Sequence, residues 1–301
     1  MRLALALAAA ALPARAADHI SDVFPDHIPD HISDDFGSRI SDVFRAGPSD
    51  ALSLTPADAV IIPAALVVFG GIPLLHLAPA HCRVCDGPDD SGLPGSVGSG
   101  RGSLNGVDAF FHDALTGAVV SRKTADTTST VLAYGVTPAF ALGTALFATG
   151  PHASSGAGVR AAVIVVESVA LAGAATELLK VGFARKRPYV RYGTGTLESP
   201  YDISDDESRQ GFVSGHTSAV AALGISAALC ASLQDSEFAP AAWTAAGTLV
   251  ALTGTLRMVA EQHYFTDVLA GTAVGAAAGV AVPLLHRNGV HVTGNGFAVS
   301  F

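Results

Sequence analysis

The sequence predicts an all-α protein: a bundle of about six apolar helices, with a disordered N-terminal arm and a short C-terminal extended tail. Three observations predict it. Half of the 301 residues are apolar and only 14% are charged, against roughly 25% charged in an ordinary soluble domain. Six apolar stretches of 17 to 24 residues, rich in Ala, Leu and Val, recur between short polar breaks. None alternates with the period of two that a half-buried strand requires.

Composition also excludes several functions. Seventeen basic against 26 acidic residues give a net charge of −9, so no general basic field exists to hold nucleic acid. An anion must therefore be met by locally concentrated Lys and Arg. Three cysteines are too few for a disulfide scaffold. A mean hydropathy of +0.43 and 32 glycines rule out a coiled coil and a wholly disordered chain.

Taken in order, residues 1–16 read as a signal peptide. Arg2 precedes the apolar run Leu3 to Leu12, and Ala14-Arg15-Ala16 supplies small residues for cleavage. Ten apolar residues are too few to cross a bilayer. Residues 17–54 form a low-complexity acidic arm, in which Asp-His-Ile recurs at Asp18, Asp26 and Asp30. We read it as a flexible segment rather than a metal-binding tract through His19, His27 and His31. Residues 55–128 comprise the helical run Ala57–Ala80, kinked at Pro63, Gly70, Gly71 and Pro73, and a Gly/Pro/Ser-rich loop at 81–106.

The bundle proper is expected over 129–286, from the runs Thr130–Thr149, Val159–Leu179, Thr217–Leu233, Ala239–Leu256 and Val268–Leu285. Their many Ala and Gly positions suit close helix packing, in lipid or in a tight soluble core. Residues 287–301 form the tail. Its alternation at Phe297, Val299 and Phe301 lacks the upstream repeats that an outer-membrane barrel needs.

Three clusters sit at junctions between helical runs. In the first, Lys180 and Arg187-Pro188 close the third run. Pro188 disfavours helix at Arg187, so the chain is expected to leave the helix there and turn the guanidinium inward. In the second, Ser214-Gly215-His216 opens the fourth run, offering a hydroxyl, backbone N–H groups and a proton carrier. Plain N-capping by Ser214 is the simpler alternative. In the third, Arg257, His263 and Asp267 join the last two runs. His263 and Asp267, four apart, are expected on one helix face, with a break between Arg257 and His263. In an up-and-down bundle the three junctions share one end. Two arginines, a lysine, a helix N-terminus and two histidines there suit a phosphate-sized oxyanion.

The pattern Lys-x6-Arg-Pro, Ser-Gly-His, Arg-x5-His-x3-Asp, spanning Lys180 to Asp267, resembles the type 2 phosphatidic acid phosphatase (PAP2) / vanadium-dependent haloperoxidase superfamily. Val213 stands where a proline is common there, and Leu256 where a serine is common. The resemblance implies that 129–286 is a PAP2-like catalytic bundle and that the protein is a phosphoric monoester hydrolase. His263 would attack phosphorus to form a phosphohistidine, with Asp267 orienting it. His216 would protonate the leaving alcohol and then activate water. Lys180, Arg187, Ser214, Gly215 and Arg257 would bind the substrate's phosphate oxygens. The resemblance implies no cofactor and no catalytic metal. The expected partners are a phosphorylated lipid or small phosphate ester and a membrane, at an exported, cell-envelope location that is either membrane-associated or periplasmic. A vanadate-dependent haloperoxidase, a soluble periplasmic non-specific acid phosphatase and a non-catalytic relic are the competing readings.

Remaining residues carry smaller expectations. Glu167 and Glu177, inside the third run, are expected to pair with Lys180 or Arg185 or to lie on a solvated face. Cys82 and Cys85 are read as a local disulfide and Cys230 as a buried hydrophobe. Trp243 fits either a membrane-interface anchor or the core.

Overall fold

Each of the six apolar runs is helical over most of its described length in a computed structural model that describes residues 52–54, 57–74, 106–115, 120–151, 153, 156–287, 290–293 and 296–299. The signal segment, the acidic arm up to residue 51 and the Cys82/Cys85 pair lie outside the described residues, whereas Leu52 at the arm's end is buried in the core. Helix α1 spans Asp58–Leu74, and a short α2 spans Gly106–Leu115. Helices α3 (Arg122–Val131) and α4 (Thr137–Phe147) are joined without a break by a π-turn at Leu132–Val136. Then come α5 (Ala157–Phe183), the single-turn α6 (Pro188–Arg191), α7 (Gly215–Leu233), α8 (Ala239–Val259) and α9 (Phe265–Leu285). The tail is an antiparallel hairpin of β1 (Val290–Thr293) and β2 (Gly296–Val299), pairing Val290 with Val299.

Two elements go beyond the sequence reading. The second run starts at Arg122 rather than Thr130, because Ser121 caps it, its Oγ accepting from Thr124 N at 3.2 Å. The polar stretch that follows tolerates helix by turning Ala125 and Ser129 inward. Helix α2 lies between the Gly-rich loop and α3, and its Asp108 is buried.

Helix α7 is the axis of the bundle. It packs on α4, α5, α8 and α9, so nearly every side chain from Val220 to Leu233 is buried. Small residues make this possible. On α9, Gly271, Gly275 and Gly279 recur every fourth position, and a Cβ on the first two would lie 2.3 Å from Ser214 O and 2.1 Å from Ser218 O. Bare glycine thus lets α9 lie directly on the α7 backbone. The core joins Ala141 and Ala145 of α4, Ile164 and Val165 of α5, Leu229 and Leu233 of α7 and Val282 of α9. Trp243 packs against this core and donates its indole N–H to Ser232 Oγ at 3.0 Å. Cys230 is buried with a free thiol, as a small hydrophobe.

Four helical segments are long and apolar enough to cross a membrane: Arg122–Phe147, Ala157–Arg191, Gly215–Leu233 and Phe265–Leu285. Helix α9 is the most apolar of them, yet only 28% of its most apolar 18-residue stretch is buried inside the protein. Large apolar side chains, among them Phe147, Val159 and Leu178, face outward. Such a surface suits lipid better than water.

Candidate active site

The chain leaves α5 at Ala184, whose left-handed backbone (φ 46°) ends the helix while its N–H still reaches Lys180 O at 2.9 Å. Arg187 is then extended, as a residue before proline should be, and its side chain is 7% exposed. One Nη donates to Gln262 Oε1 and the other lies 3.4 Å from Glu207 Oε2. Lys180 pairs with Glu177 at 2.6 Å. Its Nζ lies over Gly215, where an added Cβ would come within 3.3 Å of it. Glu167, by contrast, meets neither Lys180 nor Arg185. It faces His286 from α5 at a level well below the site, which corrects the expected pairing.

Ser214 precedes α7 in extended conformation but does not cap it: its hydroxyl makes no bond to the helix. The Ser214 Oγ is buried without a hydrogen-bond partner among the described residues, as are the Nε atoms of Arg187 and Arg257. Arg257, in the last turn of α8, is 3% exposed and donates from Nη1 to Asp126 Oδ1 at 2.6 Å. His216, in the first turn of α7, has Nε2 at 3.2 Å from Thr130 Oγ1 and meets the Tyr134 ring edge-on. The π-turn of the second segment is what carries Tyr134.

The break between Arg257 and His263 is present, since α8 ends at Val259 and α9 starts at Phe265. His263 therefore lies before the helix that holds Asp267, rather than sharing its face. Its Nδ1 is 2.7 Å from Gly211 O. A carbonyl only accepts, so Nδ1 carries the hydrogen and Nε2 keeps its lone pair. Asp267 Oδ2 stands 3.9 Å from the same Nδ1. That carboxylate is engaged elsewhere: Oδ2 accepts from Tyr264 N at 2.9 Å and Oδ1 from Arg185 Nη1 at 2.5 Å. The contact that fixes the imidazole is thus the Gly211 carbonyl.

Electrostatics follow from burial. Loss of water pushes His263 well below the usual imidazole value, and Arg257 and Arg187 add to the effect. At neutral pH the ring is uncharged. Burial, followed by repulsion from Arg187, lowers Arg257 to about 10, which still leaves it cationic.

Several contributors escaped the sequence reading. Asp126 holds Arg257 and Gln262 holds Arg187. Asp108 accepts from Arg185 Nη2 at 2.8 Å and from Thr266 N at 2.9 Å, tying α2 to the start of α9. Glu261 accepts from Thr194 Oγ1 at 2.5 Å, with Arg122 Nε at 3.1 Å and His112 Nε2 at 3.3 Å. Burial works against that carboxylate, but the hydrogen bonds from His112 and Thr194 and the charge of Arg122 hold it below the usual range. A signal for Asp126 existed: Asp126, Thr130 and Tyr134 fall at steps of four, one stripe of a helix.

The fold is a helical bundle in which Arg187, Ser214, Arg257 and His263 are buried at helix ends, and one comparison bears on its class. The PAP2 superfamily model matches residues 161–290. The matched stretch runs from α5 to the start of the hairpin. Activity in this superfamily is of the phosphatase or haloperoxidase type, typically phosphatase. No curated protein and no solved structure matches the chain.

Proposed function

We propose that this protein is a phosphatase that hydrolyses phosphate monoesters, lipid phosphates in preference, through a phosphohistidine on His263. One observation carries the reading. Three buried donors, Ser214 Oγ and the Nε atoms of Arg187 and Arg257, lack partners among the described residues, near an imidazole fixed as the Nδ1–H tautomer. Buried polar groups are rarely left unmatched, so such donors suit a group that arrives from outside. A tetrahedral phosphoryl group supplies the acceptor oxygens they need.

In the reaction, His263 Nε2 attacks phosphorus as the ester P–O bond breaks. The leaving oxygen takes a proton from His216. Water then loses a proton to His216 and attacks the phosphohistidine, breaking the P–N bond and releasing inorganic phosphate. Lys180, Arg187, Arg257, Ser214 and the Gly215 N–H bind the non-bridging oxygens and stabilise charge as it builds on them. Asp267 acts at longer range, stabilising positive charge on the imidazole. The lipid preference rests on the outward-facing apolar surface, which would place the site beside a bilayer holding the substrate. An exported, envelope-facing location extends the same reading.

The test is turnover by purified full-length protein of phosphatidate, a polyprenyl pyrophosphate and a soluble aryl phosphate. Phosphate release that His263→Ala abolishes, with a phosphoenzyme trapped in the parent, is the expected result. Undiminished release by the variant overturns the assignment. Vanadate-dependent halide oxidation without phosphate release would move it to the peroxidase class.

A further inference from the structure

Helix α5 carries a carboxylate that the catalytic reading leaves unused. Glu167 is 3% exposed and lies 13 residues before Lys180, about 20 Å down the helix from the phosphate cradle. There it meets Asp58 from the first turn of α1 and His286 from the end of α9, both 6% exposed. His286 Nε2 is 3.2 Å from Asp58 Oδ1 and 3.2 Å from Glu167 Oε2. All three donor atoms lie within 4.8 Å of one another.

The tautomer decides what this cluster needs. His286 Nδ1 lies 2.9 Å from the Val282 carbonyl, an acceptor, so Nδ1 holds the hydrogen. With Nδ1 so occupied, Nε2 is the ring atom that faces the two carboxylates. Among the described residues, neither Nε2 of His286 nor Oε2 of Glu167 has a hydrogen-bond partner, although both are buried. Three buried ligand atoms gathered in one place, two of them without a hydrogen-bond partner among the described residues, suit a cation between them.

We infer that Asp58, Glu167 and His286 bind one divalent transition-metal ion of the zinc class, as a structural clamp between α1, α5 and α9. The spacing fits: ligands about 2.0–2.1 Å from a tetrahedral zinc stand about 3.3 Å apart, close to the observed 3.2 Å. The mixed nitrogen and carboxylate set suits zinc, and the Nδ1–H to backbone carbonyl bond is the usual support for a ligating imidazole. The ion would lock α1 to the bundle at a point where His286 O also accepts from Ser53 N at 2.8 Å. It takes no part in the phosphate chemistry.

Zinc content and thermal unfolding of the full-length protein test this site. The parent protein is expected to hold about one zinc per chain, and its Tm to fall by about 5 °C or more with EDTA and recover with added zinc. Glu167→Gln and His286→Gln are expected to retain less than about a tenth of the metal, with phosphate release by the folded protein unchanged. A full-length variant with His19, His27 and His31 changed to Ala and Cys82 and Cys85 to Ser is expected to keep its zinc. Loss of zinc in that variant overturns the site, as does equal binding by Glu167→Gln. A parent chain that binds no zinc and unfolds at one temperature with and without EDTA also overturns it, leaving a buried ion pair.

Discussion

Arg185 grips Asp267 at 2.5 Å, and with its other Nη it holds Asp108 at 2.8 Å. Two carboxylates from α2 and α9 are thereby fixed by one guanidinium from the α5–α6 turn, and its face also lies 4.2 Å over the Tyr264 ring. Arg185 touches no phosphate oxygen in the proposed mechanism, so it is a positioning residue for the turn carrying His263.

Arg185→Met takes the cation away from two buried carboxylates, a loss that costs about 3–5 kcal/mol when a buried pair is broken. Stability is expected to fall by that order. In protein that remains folded, kcat is expected to drop about tenfold or more with KM little changed, because the nucleophile shifts while the cradle stays. Arg185→Lys restores charge but not the two-pronged fork, and is expected to recover only part of kcat. Denaturation curves and steady-state kinetics on both variants check this; unchanged kcat in the methionine variant removes the positioning role.

Ser214 allows a cleaner separation of fold from function. Its hydroxyl is buried and makes no hydrogen bond among the described residues. Ser214→Ala therefore breaks nothing in the folded protein and relieves a desolvated polar group, so stability is expected to hold or rise by up to about 1 kcal/mol. Activity is expected to fall about 10²-fold if the hydroxyl donates to the phosphoryl oxygens in the transition state. Loss of stability with activity intact would make Ser214 a structural residue.

The glycine ladder of α9 predicts that packing and chemistry fail together. A Cβ on Gly271 would stand 2.3 Å from Ser214 O and 2.6 Å from Thr217 Oγ1, so α7 must move. Gly271→Ala is expected to cost about 1–3 kcal/mol by overpacking and to lower kcat by displacing Ser214 and Gly215. Gly247 on α8 has open space where its Cβ would go. Gly247→Ala is expected to gain about 0.5–1 kcal/mol without touching activity. Paired melting and activity curves distinguish the two positions.

How far the sequence foretold this arrangement depends on which signal carried each part. The apolar runs located α1, α5, α7, α8 and α9 because burial in a bundle or lipid demands unbroken apolar length. The same criterion missed the first turns of α3, where Arg122 to Thr130 is polar, and with them Asp126. The three clusters were legible since their charged residues interrupt apolar runs. Their second layer was not: Asp108, Gln262 and Gly211 act through pairings 52 to 158 residues distant in the chain. Local spacing even misled at His263. The i, i+4 relation to Asp267 suggested a shared helix face, whereas Asp267 spends Oδ2 on the Tyr264 N–H and starts the helix after the histidine. His286 gave no signal at all, because its partners Asp58 and Glu167 meet it only when α1 docks.

His263 makes pH the last and most direct probe. Burial and the two arginines keep the folded ring neutral well below the ordinary imidazole value of about 6.5. Between the folded value and about 6.5, the unfolded chain binds a proton that the folded chain refuses. Stability from this group is therefore fully present above about pH 6.5 and declines as pH falls, by up to about 1.4 kcal/mol per pH unit. His263→Gln is expected to remove that slope between about pH 5 and 6.5, whatever its effect on absolute stability. The same neutral ring keeps its Nε2 lone pair in mild acid, so the acid limb of kcat/KM set by the nucleophile is expected below about pH 6.5. Urea unfolding at several pH values, run beside the pH–rate profile, measures both. A slope identical in the two proteins means that His263 titrates normally, and that it is not the desolvated nucleophile proposed for this site.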